Sequence, residues 1–525
     1  MTSHTVHPFL LAVWAATQLA AAGTGEISTP ATNSTVRLGL LDAVRITVSS
    51  DPKISLVEKD AQSAGGRVLA AAGPFDLQLN SSISQGREER PYMTSPLDYE
   101  RQVLQRTSLR VGASKLLPVG VTVSPSLIVN RLDDNKGITG PASQSEAGVD
   151  IIIPLARGLG VKATTADERA AKTAYNAAKL QVQHTIALRV LNTASAYWSY
   201  LSATRRLEVL RLSEQRAREL MENTKALVDA REVASAEMEQ LVANLADKRA
   251  SRISATQAAL EAQHQLGIAM GIPFDRILAM PPPGDEFPSV AEDVTRLQPL
   301  PDALAVIAIQ KRADYAAAQL NQDAAKILAD VARHRLKPQV DLVLHGGYAG
   351  MNTGGSARSY FDSVGDHIQG PIAMATLNFA FPVANRTARG NVIQQEAIYQ
   401  QSVINTEDLA RGIQSSVTIA LERVRNAAEE LKESEKAMAQ YLIALDNEKS
   451  KRKLAMSTLI DVIVTEDRLT GAAVSNIGAQ SQYAIGLTQL RFETGTLLNG
   501  DSRNQVITRE QLITLPAEAV QTAPR

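Results

Sequence analysis

From Val417 to Leu445 apolar residues recur at alternating spacings of four and three: Val417, Leu421, Val424, Ala428, Leu431, Met438, Leu442 and Leu445, with Glu435 as the polar exception. That is a heptad seam, the signature of a helix packed lengthwise on another. A looser version runs through Leu191, Ala194, Trp198, Leu201, Leu207, Leu210, Ala217, Met221 and Val228. Helical periodicity over about 50 residues makes a rod of about 75 Å, too long for a compact core, so it needs neighbours along its length. Shorter segments alternate by two instead. Phe75, Leu77 and Leu79 share one face, as do Val340, Leu342 and Leu344, with Gln339, Asp341 and Val343 opposite. Such alternation places one face of a strand in an apolar phase and the other in a polar one; for any single strand, a soluble sandwich and a membrane barrel both satisfy it. "SLRVGASKLLPVGVTVSPSLIV" reads as an additional hairpin turning at Leu117 to Gly120.

The pattern occurs twice. "LDAVRITVSSDPKISLVEKDAQSAGGRVLAAAGPFDLQL" and "PDALAVIAIQKRADYAAAQLNQDAAKILADVARHRLKPQVDLVL" each run from an Asp-Ala helix start through an Ala-rich helix to a proline, Pro74 or Pro338, and into alternating residues. "DIIIPLARGLG" and "NFAFPVANRTARG" are both strands ending at a proline, Pro154 or Pro382, before long helical segments. The expected organisation is a leader at 1–22; a first repeat at 36–271, with strands about 74–154 and long helices about 162–271; a Pro-rich connector at 272–300; a second repeat at 301–498, with strands about 338–383 and long helices about 388–495; and a flexible tail at 499–525.

Composition removes several function classes. Formal net charge is −1, so nothing points to nucleic acid or a polybasic membrane anchor. There is no cysteine, which excludes thiol catalysis, disulfides and cysteine-ligated zinc and fits an oxidising compartment. Phe9 to Ala22 is apolar and ends in Ala20-x-Ala22, as a secretory signal peptide does, although its n-region carries His4 and His7 rather than Lys or Arg. No apolar run of 18 residues suggests a membrane-spanning helix. The seven histidines, 4, 7, 184, 264, 334, 345 and 367, are scattered with no pair at metal-ligand spacing. "GGYAGMNTGG" lacks the Lys-Ser/Thr of a phosphate loop. No enzyme, metal or cofactor is expected.

"IIIPLARGLG", "AYWSYLSATRRLEVLRLSEQRARELMEN", "TLIDVIVTEDRL" and "RFETGTLL", taken in order across two copies, resemble the TolC-like outer-membrane efflux proteins over about residues 36–498. The resemblance implies a mainly α fold with duplicated long antiparallel helical hairpins forming a periplasmic α-barrel, and strands forming a membrane β-barrel, typically four per chain, assembled as a homotrimer. The implied function is the passive exit duct of a tripartite efflux pump or type I secretion system, with a periplasmic adaptor and an inner-membrane transporter of RND or ABC type as partners. A coiled-coil scaffold or an outer-membrane receptor is the alternative.

By the same resemblance Asp461 falls at the start of the helix returning from the periplasmic tip, where family members line the channel entrance with acids. Asp461 and its first-copy counterpart Glu237 are therefore expected to ring the entrance. Asp461 is also suited to the first turn of a helix, with Ser457 or Thr458 as its N-cap. The turns holding Arg231, Glu232, Ala455, Met456 and Ser457 are the expected adaptor-docking tips. Val464, Ser457 and Ala455 depart from the family's second acid, basic latch and tip glycine.

Overall fold

The computed structural model describes residues 37–96, 98–135, 142–230, 235–290, 301–354, 358, 362–365, 368–454, 456–498 and 507–516; the expected leader lies outside the described residues. Helices α1 (Leu40–Ser50) and α2 (Pro52–Ala72) lead into strands β1 (Gln78–Ser95), β2 (Asp98–Leu116), β3 (Thr122–Asp134) and β4 (Ala142–Pro154). A short α3 (Val161–Thr164) precedes the long α4 (Ala166–Asp229), and α5 (Ala236–Ala269) returns antiparallel to it. After α6 (Phe274–Leu278) the plan repeats: α7 (Pro301–Lys311), α8 (Ala313–His334), β5 (Gln339–Asn352), β6 (Ile368–Ala380), α9 (Arg386–Lys453) and α10 (Leu459–Glu493), followed by α11 (Arg509–Ile513). Helix α9, of 68 residues, is about 100 Å long.

Local chemistry explains where the helices break. Asp51 stops α1, accepts from Lys53 N at 2.7 Å and hands the chain to Pro52 at the first position of α2. Arg312 makes the matching break between α7 and α8. The long helices form a wall one helix thick. On the strand side the packing order is α2, α4, α8, α9; on the tip side it is α5, α4, α10, α9. Between the two levels sits a joint whose core includes Leu40, Val44, Val190, Trp198, Leu266 and Leu512. The second seam is buried through Val417, Leu421, Val424, Ala428 and Leu431 against Tyr483 and Leu487.

Beyond Leu431 one of the two rows of the heptad seam loses its partners. Leu442 is 61% exposed and Glu435 faces out, while Met438, Tyr441 and Leu445 pack on Val462 and Leu469. The seven-residue row Val417, Val424, Leu431, Met438 and Leu445 keeps its partners, and only the row of Leu421, Ala428, Glu435 and Leu442 leaves the contact line. Trp198, on the looser first seam, is fully buried. It lies about 48 Å along α4, in the joint, edge-on to Tyr197 and stacked near Phe287. The tail needs a second correction: residues 507–516 of the stretch expected to be flexible pack on α10. Leu512 is fully buried, Thr488 Oγ1 donates to Leu512 O at 2.9 Å, and Arg491 donates to Thr514 O at 2.6 Å.

Among the described residues six strands form one antiparallel sheet in chain order, where the resemblance implied four. The predicted hairpin supplies β2 and β3. Its turn closes by Leu117 N to Val121 O and Gly120 N to Leu117 O, both 2.8 Å, and docks on the β4–α3 junction through Gly160 N to Val119 O at 3.0 Å. Gly120 has φ +98 and abuts Gly158 O, so no side chain fits there.

Candidate functional site

Two regions carry the chemistry: the helical tips and the two faces of the sheet. At the second tip α9 ends in Lys451, Arg452 and Lys453, cations suited to a helix C-terminus. Thr458 then caps α10 in a capping box. Its amide donates to Asp461 Oδ2 at 3.0 Å, its hydroxyl donates to the same oxygen at 2.6 Å, and Asp461 N returns to Thr458 Oγ1 at 3.3 Å. The Thr458 hydroxyl and amide hold the Asp461 carboxyl below its usual range. Of the two N-cap candidates Thr458 takes the role. Ser457 turns back instead, donating to Glu448 Oε1 at 2.7 Å, and with Lys451 it holds the Glu448 carboxyl low.

The first tip is built differently. Ser235 precedes α5 without a side-chain cap, and Glu237 lies in the first turn. Glu237 Oε2 meets Arg452 Nη2 of the second tip at 3.5 Å, so the two candidate acids are engaged differently: one caps its own helix, the other bridges hairpins. Arg231, Glu232 and Ala455 lie outside the described residues. Met456 is 73% exposed, and Leu454, Ile460 and Val464 are exposed beside it.

Register places the sheet's apolar residues on one face. Across the strands Ser81 meets Val111, Val111 meets Leu127, Leu127 meets Ala147, Ala147 meets Tyr348 and Tyr348 meets Pro371. Leu79, Ile83, Val149, Leu344, Leu377 and Phe379 fall on the same face and are exposed. The opposite face is mainly polar, with Ile372 and Met374 of β6 among its exceptions. His345 sits there between two acids of β4, with Nδ1 2.8 Å from Asp150 Oδ1 and Nε2 3.2 Å from Glu146 Oε1. Its ring lies over Gly148, where a Cβ would come within 2.7 Å of it. Nothing in the sequence announced this cluster, because His345 lies 195 residues from Asp150 and farther still from Glu146, and meets them only through the β4–β5 register. Among the described residues no group of three His, Asp or Glu side chains is arranged to hold a metal, and no helix is long and apolar enough to cross a membrane.

A one-helix-thick wall of paired long hairpins, ending in a sheet with one apolar face, is the fold of the TolC-like outer-membrane channels. Solved structures bear the likeness out. CusC superposes with TM-score 0.64 at 14% identity, covering 89% of this chain and 95% of that one. The outer-membrane channel CmeC of Campylobacter jejuni gives 0.62 at 12%, covering 87% and 85%. The outer-membrane protein VceC of Vibrio cholerae gives 0.61 at 15%, covering 87% and 96%. No family model and no curated protein matches the sequence.

Proposed function

We propose that the protein is a passive exit duct of the outer membrane, working as a homotrimer whose helical tube crosses the periplasm. The observation that carries this reading is the sheet: β2 to β6 and the lower half of β1 share one face on which apolar side chains are exposed, at the head of helices about 100 Å long. An apolar outer band and a polar inner face are what a barrel needs to sit in lipid around a wet lumen. Likeness to outer-membrane channels supports the same reading.

At the far end, three copies bring three Asp461 and three Glu237 carboxylates toward the entrance, which favours cations. The exposed Leu454, Met456 and Ile460 offer a periplasmic adaptor an apolar foothold beside those charges. The adaptor joins the duct to an inner-membrane transporter of RND or ABC type, which supplies the energy. A detergent extract should run as a trimer unheated and as a monomer after heating. Recovery as a soluble monomer without detergent overturns the proposal. In planar bilayers, Asp461→Ala combined with Glu237→Ala should reduce cation selectivity; an unchanged reversal potential removes the acidic ring.

A further inference from the structure

The wall and the sheet end on the same two flanks. On one flank α2 is the outermost helix, and it continues directly into β1, the outermost strand. On the other flank β6, the opposite outermost strand, continues into α9. Among the described residues neither β1 nor β6 has a partner on its outer side. Six strands in alternating direction leave β1 and β6 running opposite ways. Both flank helices also expose large apolar side chains: Leu56 at 63% and Leu69 at 77% on α2, Ile393 at 72% and Ile404 at 61% on α9.

An open strand edge is not tolerated in hydrocarbon, where no water pairs the exposed N–H and C=O groups. The occupant of each edge must supply a strand of the right direction and a helix behind it. A second copy of this chain supplies both, because its β6–α9 flank is complementary to the β1–α2 flank. We infer that β1 pairs antiparallel with β6 of the next copy, and that three copies close a barrel of 18 strands, six from each. This rests on the duct reading and fixes how the duct is closed.

Geometry favours 18 strands over the 12 that four per chain would give. At about 4.8 Å between strands and a tilt of about 40°, 18 strands have a radius of about 18 Å and 12 strands about 12 Å. Four helices from each of three copies, spaced about 9 Å apart, make a tube of about 17 Å radius. The 18-stranded barrel therefore continues the tube without a constriction. The β2–β3 turn, pinned to the β4–α3 junction by Gly160 N to Val119 O, holds the added strands at the level of the others.

The chain has no cysteine, so cross-linking tests the closure directly. Leu79→Cys on β1 is combined in turn with Ala373→Cys, Ala375→Cys and Leu377→Cys on β6, and oxidised membranes are run on non-reducing gels. A parallel set places the first cysteine at Leu127 on β3. Each single-cysteine variant, checked for the heat-sensitive trimer, serves as the folding control. Covalent trimers from at least one β1–β6 pair and none from β3–β6 are expected, with a barrel radius near 18 Å in electron cryomicroscopy of nanodisc-embedded trimers. Covalent trimers through β3–β6, or a radius near 12 Å, overturn the 18-stranded closure and leave the duct standing. Absence of any trimer, cross-linked or heat-sensitive, overturns both.

Discussion

Gly271 and Gly495 close the second long helix of the two copies in the same backbone conformation, φ +69 at each. Each glycine lies against the helix break of its own copy. A Cβ on Gly271 would stand 2.7 Å from Asp51 Cα, and one on Gly495 would stand 2.9 Å from the Lys311 carbonyl carbon. The charge at the break is inverted: Asp51 binds Arg189 in the first copy, whereas Arg312 binds Asp314 and Glu493 in the second. Away from the joint the copies diverge. One contributes four strands and an uncapped tip helix, the other two strands and a capping box. The joint thus imposes a shape and accepts either sign of charge, while the ends are free to differ.

The largest test of that likeness is steric. Gly271→Val and Gly495→Val each force a branched side chain into backbone at positive φ, and each should cost about 3 kcal/mol, read as a fall in the thermal unfolding midpoint. A large loss at one site and none at the other would mean that the joints are not equivalent. Within α9, Leu431→Ala should cost about 2–5 kcal/mol and Leu442→Ala less than about 0.5, which tests which row of the seam keeps its partners. At the tips the difference between the copies should appear as a cap: Thr458→Ala costs about 1 kcal/mol and Ser235→Ala close to nothing. The smallest effect is on pH. The Asp461 carboxyl is held below its ordinary 3.8, so its contribution is complete above that value and is lost as pH falls through the lower folded-state value. Hydrogen exchange at residues 458–464, corrected for intrinsic rates, should loosen with acid in the native protein and change less in Asp461→Asn. Equal acid response in both would remove Asp461 from the cap.

The duplication, the four prolines at strand ends and the long hairpins were legible because they depend on local pattern: spacings of two, three and four, and residues that cannot continue a helix. The hairpin at Leu117 to Gly120 was legible for the same reason. The upper half of β1 was not. "SQGREERPYMTS" is polar on both faces, so alternation vanishes although the backbone stays paired with β2. The exposure of Leu442 escaped because its spacing from Met438 and Leu445 is that of a seam residue, and spacing alone does not show which row keeps a partner. At the tip the cap and the acid are three residues apart and local pattern reveals both, yet the pairing of Glu237 with Arg452 spans 215 residues and depends on how the hairpins lie.

Asp285 accepts hydrogen bonds from Leu40 N at 2.6 Å and from the Tyr197 hydroxyl at 2.8 Å, and its carboxylate meets Arg509 Nη2 at 3.0 Å. These partners lie 245, 88 and 224 residues away along the chain. A polypeptide emerging N-terminus first makes α1, then α4, then the connector, and only at its end the segment that clamps all three. Contacts of such high sequence separation form slowly. The joint between the two levels of helices is consequently the last part of the chain to mature. Truncation before Arg509 should leave long helices in place around an unfastened waist.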